Sequence, residues 1–326
     1  MVTCIDNNKS QLDNMDEIKN DILYETIECL NRECIESSSS KEFLCGRKIL
    51  NIWGSIRSLS FHKLLKAWIK TYRVRKTFAL KEESTYQYGE YPSRNIRFCI
   101  YTCITGGYDN LLPMHCFAPN IDYVAFTDNV NIVSNGWEVR PLPKELDSIE
   151  SNANKNRYMK MHPSLVGDYD YAIYVDGLVE IYSNLTNMIN VINPKFGFAI
   201  HNHFFRDCIY EEIKFCKINN YGNSDKMDVL ARNYENDGFP HNYGVLECTL
   251  ILTDLHNENG KQILDEWWQE HLRQDAGRDQ LTLPYVLWKH GIAISEIGTL
   301  GNNVKANPKI RVRGHRINKN NNIKFH

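Results

Sequence analysis

From Arg97 onward the chain alternates between short apolar runs and longer stretches with helical spacing. Phe98–Ile104 reads as a buried strand ended by Gly106 and Gly107, and Tyr123–Phe126 as a second ended by Thr127, Asp128 and Asn129. Tyr171–Val175 is a third, stopped by Asp176 and Gly177, and Gly197–Ile200 and Thr249–Leu252 are two more. Helical patterns lie between and after them, notably Gly260–Arg273 and Asp279–Lys289. Such alternation predicts an α/β domain, with a mainly parallel sheet flanked by helices. Ligands of such sheets bind beyond the carboxyl ends of the strands, where Gly106, Gly107, Tyr108, Asp109, Asp128 and Asp176 all fall.

Upstream the texture differs. Asp16–Arg32 has the look of a short helix, and Ser37–Ser40 that of a linker. Between Ile49 and Trp68, Ile49, Ile52, Trp53, Ile56, Phe61, Leu64, Leu65 and Trp68 recur at three and four, with Arg57, Lys63, Lys66 and Lys70 between them. This pattern fits first a helix packed on the main domain with solvated lysines, and second an interfacial helix on an anionic bilayer. The expected organisation is a helical N-terminal region at 1–92, the α/β domain at 93–308 and a basic tail at 309–326.

Charge sharpens this division. The chain of 326 residues carries a net −2, but residues 1–40 hold nine acids and three bases, residues 41–76 ten bases and one acid, and the tail 309–326 six bases and none. An acidic body with two basic segments is unlike a nucleic-acid binder, whose contact face is positive throughout. No apolar run approaches the length of a membrane-spanning helix. The first residues lack a basic stretch followed by an apolar one, so the expected location is the cytoplasm, with peripheral contact to anionic membrane through 41–76. The ten cysteines are scattered, without zinc-site spacing, and are expected as thiols.

No glycine-rich dinucleotide fingerprint, P-loop or nucleophile elbow is present. The chemistry therefore rests on a constellation. Asp176, at a strand's carboxyl end beside a glycine, can hold a divalent cation against a diphosphate, or simply form a turn. Arg157 and Lys160 lie one helical turn apart and can face one phosphate, or solvent. Further on come His203 and Arg206, then Glu211 and Glu212, then Glu247, and finally Arg278, Asp279 and Gln280.

In that order, with Tyr101–Asp109, Phe126–Asp128, Tyr174–Gly177 and Gly244–Glu247, these residues resemble a glycosyltransferase-like family long catalogued as a domain of unknown function. Its members occur in bacterial surface-polysaccharide clusters and among plant proteins linked to mucilage. The resemblance spans roughly 97–295 and implies a GT-A-like nucleotide-binding domain. It further implies transfer of a sugar from a nucleotide-sugar donor, UDP-linked, to a glycan or lipid-linked acceptor, with Mn²⁺ or Mg²⁺ at Asp176. Tyr108, Asp109, Asp128, Arg157 and Lys160 would then serve the nucleotide and its diphosphate. Asp279 and Gln280 would stand at the reacting sugar, with Asp279 the general base if the reaction inverts. His203, Arg206, Glu211, Glu247 and Arg278 would line the sugar or acceptor pocket. Two positions depart from the pattern: Leu178 stands where a second metal-binding acid belongs, and Thr253 where an arginine belongs. With Leu178 the cation becomes dispensable if Arg157, Lys160 and Arg206 neutralise the diphosphate. A non-catalytic glycan or nucleotide-binding module and a nucleotidyl or phosphoryl transferase are the competing classes.

Overall fold

A computed structural model describes residues 86–93, 95–118 and 120–313. The helices expected at 16–32 and 49–68, the membrane contact at 41–76 and the tail beyond 313 lie outside these residues. Within them no helix is long and apolar enough to cross a membrane.

The body is an α/β fold around a seven-stranded sheet. Its strands are β1 (Phe98–Ile104), β2 (Ile121–Thr127), β3 (Glu138–Pro141), β4 (Tyr171–Val175), β6 (Phe198–Asn202), β7 (Leu246–Asp254) and β8 (Gly298–Thr299), in the order β3-β2-β1-β4-β7-β6-β8. Strands β3, β2, β1 and β4 are parallel, β7 runs antiparallel to both β4 and β6, and β8 is parallel to β6. A mainly parallel sheet was expected; the reversal of β7 was not. That reversal brings the start of β7 beside the end of β4, with Leu250 opposite Val175 and the Asp176 N–H donating to the Thr249 carbonyl at 2.9 Å. It also carries Thr253 to the opposite edge of the sheet, against Ala172 and Phe198, so the missing arginine does not touch the candidate site.

Central strands are buried on both faces, which is why they read as continuous apolar runs. In β1, Cys99, Tyr101 and Cys103 face one core, together with Tyr174, Met159 and Trp267, while Phe98, Ile100 and Ile104 face the other with Ile173 and Val175. Helices α1 (Asn152–Met161) and α4 (Glu258–Gln274) cover the first face, and α5 (Leu283–Lys289) packs on α4. A third cluster joins α2 (Ile209–Ile218) and α3 (Ser224–Asn236) through Ile209, Ile213, Met227, Leu230 and Tyr234.

Caps set the helix ends. The Ser151 side chain accepts from the Asn154 N–H, Asn223 accepts from Asp225 and Lys226, and Asn257 accepts from Gly260. The helix expected over 279–289 is instead a 3₁₀ turn at Asp279–Leu281 followed by α5, because Pro284 suits only the first turn of a new helix. Residues 309–313, expected as the start of a tail, belong to the body: β9 (Ile310–Val312) pairs antiparallel with β5 (Val179–Ile181), and Arg313 pairs with Glu180. Tyr88, expected in the N-terminal region, is likewise buried, its hydroxyl donating to the Leu300 carbonyl at 2.8 Å.

Candidate active site

The loops after β1, β2 and β4 open on one edge of the sheet, where α1, the start of β7 and the 278–281 turn meet them. Beyond β1, Gly106 and Gly107 both have φ in the left-handed region, +64° and +63°, and a Cβ at Gly106 would come within 2.2 Å of the Asn152 side chain. The Gly106 N–H donates to both oxygens of Asp128 at 2.9 and 3.1 Å, which ties the β1 and β2 loops together. Tyr108 stands half exposed in front of them. Its hydroxyl pKa is raised by burial and by Asp109 and Asp176, against Arg157 and Arg278, so these groups share one electrostatic neighbourhood. A side chain at Gly177 would begin 4.0 Å from the Asp109 Cβ, placing Asp109 beside the β4 loop.

Behind this loop region lies an ion network. Lys160 Nζ is 2.8 Å from Asp279 Oδ2 and 3.3 Å from Asp176 Oδ1, and Arg157 Nε is 3.9 Å from Asp279 Oδ1. Asp176 Oδ1 also accepts from the Tyr174 hydroxyl at 2.9 Å, and that hydroxyl accepts in turn from the Asn156 amide at 3.0 Å. The Tyr174 ring lies under the ammonium at 4.9 Å. Trp267, on α4, donates its indole N–H to the Asp279 carbonyl at 3.0 Å, so a buried aromatic fixes the 279 turn. Burial alone would raise the Asp279 pKa and lower that of Lys160. Lys160 and Arg157 instead hold Asp279 well below the usual carboxylate range, while Asp176 and Asp279 raise Lys160 above its ordinary value. Both are therefore charged at neutral pH, and an acid held so low is a poor proton acceptor, which counts against Asp279 as general base.

Three buried N–H groups of this region lack a hydrogen-bond partner among the described residues: Arg157 Nε, Arg278 Nε and Gln280 Nε2. Both terminal nitrogens of Arg157 are anchored, to the Ala153 and Gly277 carbonyls at 2.9 and 3.0 Å, and one of Arg278, to Gln280 Oε1 at 3.0 Å. A buried donor left unsatisfied costs about 1–3 kcal/mol, so an acceptor that reached any of the three would recover that cost.

A second cluster follows β6. Arg206 Nε pairs with Glu212, its other edge reaches His203 Nε2 at 3.1 Å, and its guanidinium lies over the Phe215 ring at 4.0 Å. His203 Nδ1 accepts from the Arg206 N–H at 3.1 Å, and Glu212 Oε1 accepts from the Cys216 thiol at 3.4 Å. Glu211, the acid singled out in the sequence, is exposed on α2 and has no contact with this cluster; its neighbour Glu212 supplies the carboxylate. Glu247, at the start of β7, joins the two regions. Its Oε2 is 3.9 Å from His203, Oε1 accepts from the Thr249 hydroxyl at 2.9 Å, and burial and the nearby Asp176 and Glu212 raise its pKa against Thr249 and Arg278.

The donor set around Asp176 does not suit the divalent cation that the resemblance implies. Leu178 offers no oxygen, Asp176 Oδ1 is engaged by Lys160 and Tyr174, and among the described residues no group of three or more His, Cys, Asp or Glu side chains could hold a metal ion. A dication on the other oxygen would stand roughly 5 Å from the ammonium, a repulsion on the order of 7 kcal/mol at an effective dielectric of about 20.

The structure thus brings together Tyr108, Asp109, Asp128, Arg157, Lys160, Asp176, Arg278, Asp279 and Gln280 on one side, and His203, Arg206 and Glu247 on the other. Asn156, Tyr174 and Glu212 had been given no role of their own. Glu212 was legible as an acid on the buried stripe of Ile209, Ile213 and Cys216, whereas Asn156 and Tyr174 carry no signal beyond their place in a helix and a strand.

Fold and site define an α/β protein with a cluster of mixed charge at the carboxyl ends of its parallel strands. Residues 158–296 match the family model described as TOD1/MUCI70, glycosyltransferase-like domain, and the resemblance seen in the motifs is shown for that stretch. The match supports a general glycosyltransferase role. Among solved structures, the chain is similar to the WbbM bifunctional glycosyltransferase in its apo structure (14% identity, TM-score 0.35, covering 59% of this chain and 37% of that one). It is also similar to mouse xyloside xylosyltransferase 1 in its apo form (8%, 0.33, 60% and 82%) and to the apo-form glycosyltransferase GlyE of Streptococcus pneumoniae TIGR4 (7%, 0.32, 63% and 44%). The chain therefore spans less than half the length of the WbbM and GlyE chains, 37% and 44%. A comparison with curated proteins finds no match.

Proposed function

We propose that the chain is a GT-A-like glycosyltransferase that moves a sugar from a UDP-linked donor to a glycan or lipid-linked glycan acceptor in surface polysaccharide synthesis. The observation that carries this reading is the meeting of Arg157, Lys160 and Arg278 with the Gly106–Asp128 loop pair at the carboxyl ends of β1, β2 and β4. Glycosyl transfer releases a diphosphate, and fixed cations and N–H donors aimed at the departing charge are the largest electrostatic contribution such a site can make.

In this reading Tyr108, Asp109 and Asp128 receive the nucleoside, and Arg157, Lys160 and Arg278 the diphosphate. Asp279, ionised and immobile, keeps Lys160 and Arg157 in place and with Gln280 borders the reacting sugar. Glu247, partly exposed and with a raised pKa, faces the sugar or acceptor with His203 behind it. Mn²⁺ or Mg²⁺, implied by the resemblance, has no role here because the residues at Asp176 do not fit it. The basic segment 41–76 would bring the enzyme to anionic lipid bearing the acceptor, a contact read by salt-sensitive co-sedimentation with anionic vesicles.

The test is a thermal-shift screen of the full chain against nucleotide sugars and free glycans. A transferase is stabilised by UDP and by one UDP-sugar. A binding module without transfer chemistry responds to glycans and ignores nucleotides, and that result would replace this reading.

A further inference from the structure

We infer that the site binds the nucleoside diphosphate without any divalent cation, using Arg157, Arg278 and Lys160 of this chain in its place. The inference rests on the nucleotide-sugar reading above and concerns how that nucleotide is held.

Three independent features lead to it. First, one oxygen of Asp176 is already taken by a cation. That oxygen, Oδ1, accepts from Tyr174 at 2.9 Å and faces the Lys160 ammonium at 3.3 Å, and the residue two places on is Leu178. Where a metal would bridge a strand-end carboxylate to a diphosphate, a buried ammonium already sits against that carboxylate. Second, the ammonium is held by design of the packing. Asp279 at 2.8 Å, the Tyr174 ring at 4.9 Å and the indole of Trp267 behind the Asp279 carbonyl leave Lys160 little freedom to swing away and admit an ion. Third, the acceptor-seeking groups are nitrogen donors. Gln280 is 4% exposed and its Nε2 lacks a hydrogen-bond partner among the described residues, as do the buried Nε atoms of Arg157 and Arg278. A metal ion would compete for oxygen ligands and leave these N–H groups unsatisfied, whereas phosphate oxygens satisfy them directly. Arg157 and Arg278 are each anchored through another nitrogen, so the free edges are fixed in direction.

The test is calorimetric titration of the full chain with UDP, after EDTA treatment and again with Mn²⁺ or Mg²⁺ added. The expected result is an affinity that agrees within about threefold between the two conditions, well under the tenfold that 1.4 kcal/mol represents. Arg278→Ala and Arg157→Ala should each weaken UDP by about 10- to 150-fold in both conditions, and Arg278→Lys, checked for an unchanged melt, serves if the alanine variant does not fold. Asp176→Asn should still bind UDP and remain indifferent to EDTA. UDP binding that falls more than about tenfold in EDTA overturns the inference and leaves the nucleotide reading standing. No UDP binding in either condition overturns both.

Discussion

The two basic pairs of this protein, Arg157 with Lys160 and His203 with Arg206, look alike in sequence and are built differently. Each joins a buried acid: Lys160 meets Asp279, and Arg206 meets Glu212. In the second cluster the side chains of Arg206 and Glu212 are both 3% exposed and that of His203 is 6%, so it is sealed among Phe215, Cys216 and the α2–α3 core. In the first, Lys160 and Asp279 are buried at 6% and 9%, but Asp176 is 34% exposed and Arg157 17%, so this cluster reaches the surface. Buried charge closed to solvent organises a fold; buried charge with an open side can handle a ligand. Glu247 stands where the two regions touch.

The contrast can be broken most forcefully from the sealed side. Glu212→Gln leaves Arg206 buried beside a neutral amide and should destabilise the protein by about 3–5 kcal/mol in urea unfolding. UDP affinity of the folded fraction should stay within a few-fold, and a selective loss of nucleotide binding would show that the cluster is not a support. On the open side, Asp279→Asn retains shape but frees Lys160 and Arg157 from their anchor. Turnover should drop by ~10²–10³, the usual consequence of losing one fixed electrostatic contact in a site. Steady-state rates and UDP titration together decide whether the loss lies in transfer, as expected, or in binding.

Arg157→Ala sharpens the comparison further. UDP should weaken by about 1.5–3 kcal/mol, the range for a charged hydrogen bond, with little change in melting temperature. The smallest effect belongs to Glu247. Its pKa is raised in the fold, mainly by burial, so its stabilising contribution is complete below the unfolded carboxylate value and is lost as pH rises through the folded one. Glu247→Gln should therefore match the parent near pH 4 and exceed it by under about 1 kcal/mol at pH 7–8, the partial exposure screening the effect. A denaturation series across pH reads this directly, and a variant less stable at neutral pH would contradict the sign.

Much of the fold was legible because burial leaves a simple trace. β1 and β4 are covered on both faces and appear as unbroken apolar runs, while α4 repeats Ile263, Leu264, Trp267, Trp268 and His271 on one side. β3 left no such trace: Glu138, Val139, Arg140 and Pro141 form a mostly exposed edge strand. Strand direction was equally silent, since Leu250, Ile251 and Leu252 look the same run either way, and only the pairing of Leu250 with Val175 reveals it. In the site, Asp176 stood out behind an apolar strand, Lys160 by its spacing from Arg157, and Asp279 by its place between Arg278 and Gln280 at the start of a helical stretch. Which acid of the Glu211–Glu212 pair turns inward depended on the helix face, and the orphaned Arg278 and Gln280 nitrogens depended on packing that spacing does not encode.

The central claim is that the open cluster is the nucleotide-sugar site. A crystal structure of the full chain with UDP tests it most directly. The account predicts the diphosphate within hydrogen-bond distance of Arg157 and Arg278, the uridine toward Tyr108, Asp109 and Asp128, and the His203–Arg206–Glu212 cluster undisturbed. UDP seated elsewhere, or a cleft that stays without nucleotide at saturating concentration, would contradict it.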